Sequence, residues 1–381
     1  PAVASDNATL SLLENLFDPL LRYDYLARPA RLRGNTVVAM PEVSKDGLRY
    51  TFRIRPGIHF TPDPAFKGVK REVTAADYVY SLKRLSDPAL KSPWAYMFEG
   101  VAGLQALDRF TLRITLKAPD NNFLFYLATP ATGVVAREVI EAYPGQAGNH
   151  PVGTGPFMIG EWKRSDRIVL LANPNSTAVF HATPGDNDED RAIAAALNGK
   201  RQPRVDRVEV RIAEEFQGRM LGFLNAEYDY LEQIPESMTD MVVRDGALKP
   251  ELAARGIVLS RFPVLQTYYM WMNMNDPVVG GYGKDRVALR RAIALSYNSA
   301  EDIALLKKGF AIKAESPLPP NVLGYDPGYR SPVPYDPALA NALLDRHGYK
   351  LRDADGFRRA PDGKPFTLTM HSEATVGGRL R

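Results

Sequence analysis

The sequence predicts a mixed α/β protein (α+β in detail) built as more than one lobe, and three observations carry that expectation. The chain of 381 residues exceeds the roughly 100–200 residues of one ordinary domain, and its 45% apolar and 24% charged content is a globular balance able to bury a core. Segments whose side chains alternate at period two lie among segments with helical periodicity and caps. These strands and helices mix without strict βαβα order, and no repeat or heptad interrupts them.

The elements follow in chain order. "SLLENLFDPLL" (11–21) spaces Leu12, Leu13, Leu16, Phe17 and Leu20 as a short buried helix, disturbed near its end by Pro19. "RYTFRIRPGIHF" (49–60) alternates Tyr50, Phe52 and Ile54 with Thr51, Arg53 and Arg55. It then reaches Pro56-Gly57, the pair suited to positions i+1 and i+2 of a type II turn, so a hairpin is expected. In "TAADYVYSLKRLSDP" Thr74 reads as an N-cap, Asp77 as its acidic N3 partner, Tyr78, Leu82 and Leu85 as the buried stripe and Pro88 as the stop. This helix should pack on the hairpin. "RFTLRITL" (109–116) alternates Phe110, Leu112, Ile114 and Leu116 with polar residues and completes a compact α+β unit over 40–145.

The Pro- and Gly-rich "YPGQAGNHPVGTGPF" (143–157) marks a boundary. Beyond it the pattern predicts strands at 167–172 and 205–212 and a helix over 215–225, with "HATPGDNDEDRA" (181–192) as the most polar and mobile loop. "KDRVALRRAIALSYN" (284–298) reads as a helix with Leu289, Ile293 and Tyr297 on one line. "YDPALANALLDRHGY" (335–349) is a helix with Asp336 at the N-cap, Pro337 at N1, Leu339 and Leu343 inward and Gly348 at the end. "FTLTM" (366–370) opens another strand.

One stretch asks for a function. "QTYYMWMNMND" (266–276), read as a strand, divides into Tyr268, Met270, Met272 and Met274 on one face and Thr267, Tyr269, Trp271, Asn273 and Asn275 on the other. The first face is soft packing material. The second joins large amphipathic rings to amide donors and acceptors, the mixture used to hold a ligand; a core strand with internally satisfied polar atoms is the competing reading. Tyr268, Tyr269, Trp271 and Asn273 are the candidate ligand contacts.

Catalytic and metal constellations are missing. There is no cysteine, no G-x-S-x-G and no H-E-x-x-H, and the five histidines stand singly. "DNDED" (186–190) resembles the start of a calcium loop but has Arg191 where the loop glycine belongs and Leu197 where the closing glutamate belongs. "DADG" (353–356) reads as a turn, and "GTG" (153–155) as a tight turn entering a strand, with too few glycines and no lysine for a phosphate cradle. No enzyme activity, cofactor or metal is expected. The net charge of +4 comes from 48 basic and 44 acidic residues, the basic ones in doublets such as Lys70-Arg71 and Arg290-Arg291, a solvated surface and no nucleic-acid footprint. No apolar run reaches the roughly 18 residues of a membrane span, and "PAVASDNATL" lacks a signal-peptide pattern, so a signal peptide is expected only in the precursor.

Several of these blocks together resemble the family 5 extracellular solute-binding proteins, the oligopeptide, dipeptide and nickel receptors of ABC importers. Phe52, Arg55, Gly57, Phe60, Thr74, Ala75, Asp77 and Ser81 match the family's hairpin-and-helix segment, with Ile54 in place of the usual leucine and a longer spacer, "TPDPAFKGVKRE". "HPVGTGPFMIGEW" (150–162), "YYMWMN" (268–273), "VALRRAIALSYN" (287–298) and "YDPALANALLDRHGY" follow in the family's order, with Phe157 for Tyr and Asn298 where Asp is common.

The resemblance implies a two-lobed periplasmic-binding-protein fold with an extra inserted α+β domain. Residues 1–39 and 146–262 would form the first lobe, 40–145 the insert and 263–381 part of the second lobe, with the chain expected to be incomplete at both ends. It further implies capture of short peptides between the lobes, at the crossing where 266–276 would lie, and delivery to ABC permease subunits by a monomer in the periplasm or on the cell surface as a lipoprotein. Membrane contact would come only through the permease. A non-peptide solute (nickel or its chelate, an opine, an oligosaccharide) and a ligand-sensing domain of a regulator are the alternatives. The acidic anchor for a peptide amino terminus is expected beyond residue 381.

Overall fold

In a computed structural model, residues 1–371 are described. They form two compact units, Pro1–Ala213 and a second beginning at Glu214.

The first unit opens with helix α1 (Asn7–Leu16), capped by Asp6, whose side chain accepts from Thr9 N at 2.8 Å. The helix starts before and ends short of the expected 11–21. Proline disfavours helical geometry in the residue before it, and the chain is already extended at Phe17, ahead of Pro19. Strands β1 (Leu21–Tyr23) and β2 (Leu32–Gly34) then pair antiparallel.

A four-stranded antiparallel sheet follows, in the order β3 (Glu42–Val43), β4 (Arg49–Arg53), β6 (Thr111–Leu116), β5 (Val101–Ala106). The turn at Pro56-Gly57 forms, with Gly57 at φ 84° as a type II turn requires. The expected hairpin does not. Instead of returning along β4, residues 58–60 pair with 71–73: Phe60 N donates to Arg71 O and Val73 N to Ile58 O. The reason is that both sides of β4 are already filled, by β3 and β6.

Helix α2 (Ala75–Leu85) carries the expected capping box. The Asp77 carboxylate accepts from Thr74 N at 2.7 Å and from Thr74 Oγ1 at 2.8 Å, and also from both Arg71 terminal nitrogens. Tyr78, Leu82 and Leu85 are buried with Tyr50, Phe52, Leu112, Ile114 and Leu116 in one core, as the alternating pattern demands. Burial pushes the Tyr78 phenol far above its usual range; its oxygen lies 2.6 Å from Thr36 Oγ1 and donates to Asp18 O at 3.1 Å.

Two short helices, α3 (Phe123–Tyr126) and α4 (Arg137–Ala142), precede the Gly-rich loop. There the "GTG" glycines serve close packing. A Cβ on Gly153 would stand 1.9 Å from Leu16 O, and one on Gly155 2.5 Å from Asn15 O. Between them Thr154 Oγ1 donates to Asp18 at 2.8 Å. A second sheet, β7 (Phe157–Lys163), β8 (Arg167–Ala172) and β9 (Arg207–Arg211), is antiparallel throughout.

The segment expected to be a mobile loop runs directly into helix α5 (Asp188–Leu197), whose first turns lie within it. Asn187 caps it by accepting from Asp190 N, and Asp188, Glu189 and Asp190 occupy its first turn, where carboxylates complement the positive end of the helix dipole. The acidic run is a helix start, not a metal loop.

The second unit contains α6 (Phe216–Leu224), α7 (Thr239–Val242), the hairpin β10 (Val243–Arg244) with β11 (Ala247–Leu248), and α8 (Pro250–Ala253). Then come α9 (Lys284–Leu295), α10 (Ser299–Leu305) and α11 (Pro337–Arg346). Helices α9 and α11 pack around Ala292, Leu295 and Ala340. The predicted lines hold in part: Leu289 is buried and Leu343 packs against this cluster, but each line loses a member. Tyr297 is exposed and donates to Asp302, and Leu339 is exposed, while the small Ala340 takes the contact. Residues 366–370 form no strand. They meet no partner ladder among the described residues, and a strand exists only through its neighbours.

Candidate functional site

The sequence pattern singles out 266–276, and the structure builds that segment as an irregular ribbon, not a strand. The ribbon is held at both ends. Thr267 Oγ1 donates to Pro317 O at 3.1 Å. At the other end Asp276 Oδ1 accepts from Val278 N and Val279 N at 2.7 and 2.9 Å, and Gly281 N donates to Met274 O. Those backbone bonds hold the Asp276 carboxyl below the usual carboxylate range. The same loop is clamped to α9, since Arg290 donates to Gly281 O at 2.8 Å and Arg286 to Val278 O. Gly280 is required here, because a Cβ would lie 2.4 Å from Met274 O.

Between the anchors the rings face outward. Tyr268, Tyr269 and Trp271 are 75%, 77% and 75% exposed. Asn273 is exposed too, its side chain accepting from Asn275 N at 3.0 Å. The expected two faces are absent, because Met270 is also exposed and side chains alternate only along a pleated, paired backbone. Met272 is half-buried and Met274 exposed. Lys307 Nζ lies 5.5 Å from the Tyr268 ring centroid, a cation–π contact. Neither Lys307 nor Pro317 was signalled by the sequence, since both lie more than thirty residues beyond the ribbon and no local pattern spans that gap. The arrangement presents amphipathic rings and amide groups on a fixed backbone. It offers contact surface and no nucleophile–base pair; among the described residues no cluster of histidine and carboxylate side chains is placed to hold a metal ion.

With that geometry in view, the likeness to known proteins is specific. The family model for bacterial extracellular solute-binding proteins, family 5 Middle, matches residues 31–378. The chain belongs to this family. A curated relative, the glutathione-binding protein GsiB of Escherichia coli O6:K15:H31 (strain 536 / UPEC), is 26% identical over 377 residues, covering 99% of this chain and 62% of the relative. Among solved structures, the ABC transporter-associated periplasmic binding protein DppA of Helicobacter pylori, in complex with the peptide STSA, aligns with a TM-score of 0.67 at 23% identity over 92% of this chain and 63% of that one. NikZ of Campylobacter jejuni in complex with Ni(L-His) aligns with a TM-score of 0.70 at 18% identity over 96% and 63%. The chain thus spans under two thirds of the length of these proteins. Its fold is the mixed α/β class of the two-lobed periplasmic binding proteins.

Proposed function

We propose that the protein is the solute-capturing component of an ABC importer, taking short peptides and passing them to membrane permease subunits. The family match over 31–378 carries this reading. The exposed rings of Tyr268, Tyr269 and Trp271 with the Asn273 amide supply the contact surface. In this reading the lobes divide as the family resemblance implies, with 266–276 at their crossing, and the working place is the periplasm or the cell surface. The protein binds as a monomer and transforms nothing.

The mechanism is closure on the ligand: an open form samples closed states, and a solute held between lobes adds contacts available only when closed. A ligand favouring closure about 100-fold contributes roughly 2.7 kcal/mol toward it. Extended peptides can be held main chain to main chain, so affinity need not depend on side-chain identity.

The test is incubation of the full-length protein with a pool of di- to hexapeptides that includes glutathione, given the name of the curated relative. Mass spectrometry then identifies what is retained and what is produced. Retained, intact peptides are expected. Free amino acids released in proportion to protein would defeat the reading, and retention of a nickel chelate alone would favour the type of ligand named for the NikZ neighbour.

A further inference from the structure

The first unit contains a concavity of about 220 Å³ whose lining includes no residue of 266–276. Arg22, Arg33 and Arg55 line it together with Asn35, Phe180 and His181. Arg22 and Arg33 are direct partners across the β1–β2 ladder, and like charges facing each other across an antiparallel pair destabilise it. None of the three arginines forms an ion pair among the described residues, and Arg33 Nε is buried without a hydrogen-bond partner.

Nearby acids do not resolve this. Asp24 is close enough to act on Arg33, but its carboxylate is occupied by Thr183 N and Oγ1 at 2.9 and 2.8 Å and by Leu26 N at 3.3 Å. Glu14 acts on Arg22 from a distance, and the Asp18 carboxylate accepts from Nδ2 of the lining residue Asn35 at 3.0 Å. Arg55 is held by a bond to Asn35 O, and the Phe180 ring is fixed edge-on to Tyr25 at 5.8 Å. Burial, with the charges of Arg22 and Arg55 beside it, lowers the Arg33 pKa against the opposing pull of Asp24.

We propose that this concavity is a binding site for a small oxyanion of the phosphate or sulfate class, carried either as a free ion or as the phosphoryl group of a small solute. The anion would accept from the terminal guanidinium nitrogens of Arg22 and Arg33, which line the concavity and make no ion pair among the described residues, and would relieve the repulsion between Arg22 and Arg33. Guanidinium forks suit this chemistry because their donors match oxyanion geometry in pairs.

Equilibrium dialysis and melting curves of the full chain test the site, using inorganic phosphate and glycerol phosphate as probes against sodium chloride at matched ionic strength. Saturable retention and a rise in melting temperature are expected for the native protein and for Lys45→Gln, an exposed charge-loss control. Binding to both probes assigns phosphoryl recognition, and binding to inorganic phosphate alone assigns the free ion. In Arg33→Gln and Arg22→Gln affinity should fall by at least about tenfold, with the anion-free variants melting no lower than the native protein. No retention by the native protein would overturn the proposal. So would equal affinity in Arg22→Gln and Lys45→Gln, which identifies an adventitious ion only.

Discussion

Strand β4 in the first unit and the ribbon 266–276 in the second are both rich in aromatic side chains at regular spacing, yet they end in opposite environments. Phe52 is 0% exposed, and Tyr50 and Phe52 lie in a core closed by α2 and by Leu112, Ile114 and Leu116 of β6. Trp271 is 75% exposed, on a backbone with no strand beside it. Similar residue types therefore serve as core where the backbone has partners on both sides, and as surface where it has none. Hydrophobicity alone does not decide burial; availability of a second layer does.

Substitutions in the two units test that contrast. The largest effect should come from Phe52→Ala, which removes a ring from a closed core and should lower stability by about 3–5 kcal/mol; a urea midpoint near that of the native protein would show that the first unit's core is looser than its packing implies. Asp77→Ala should be nearly as severe, about 3–5 kcal/mol, because it strips the α2 cap and leaves the partly buried Arg71 with Glu138 as its one remaining ion-pair partner among the described residues. Gly153→Ala should cost about 1–3 kcal/mol through forced displacement of Leu16, while Gly57, whose neighbourhood is open, tests φ alone.

The ribbon should behave differently. Trp271→Ala should change stability by no more than about 0.5 kcal/mol while weakening binding of a retained peptide by about 1–3 kcal/mol. Met272→Ala, half-buried and outside the core clusters, should cost about 1 kcal/mol. Equal loss of stability in both variants with binding untouched would return the ribbon to a packing role.

The smallest effect is on acid stability. Burial would raise the Asp24 carboxyl, but the bonds from Thr183 and Leu26 hold it below the ordinary value. A depressed folded pKa means the unfolded chain binds the proton more readily. The contribution is therefore fully present above the unfolded value of about 3.9 and is lost as pH falls through the lower folded value. Asp24→Asn should flatten the acid limb of the urea midpoint against pH, and an unchanged limb would remove Asp24 from this account.

Elements whose signals are local were legible from residue order alone. The α2 capping box, the Gly57 turn, strand 167–172 and the Asp336–Pro337 helix start all appear where residue chemistry placed them, because caps, turns and alternation are settled within a few residues. So was the family, through blocks in a shared order. The remaining features came from the assembled fold. It turned 58–60 away from β4 to residues 71–73, made a helix start of the acidic run after Asn187, gave the α9–α11 contact to Ala292, Leu295 and Ala340 in place of Tyr297 and Leu339, and left 266–276 and 366–370 outside any ladder among the described residues. It also brought Arg22, Arg33 and Arg55 to one concavity. In each case the outcome depends on a partner distant in sequence: a strand needs a second strand to hydrogen-bond, a helix face needs the neighbour that selects it, and a charge cluster exists only once separate segments meet.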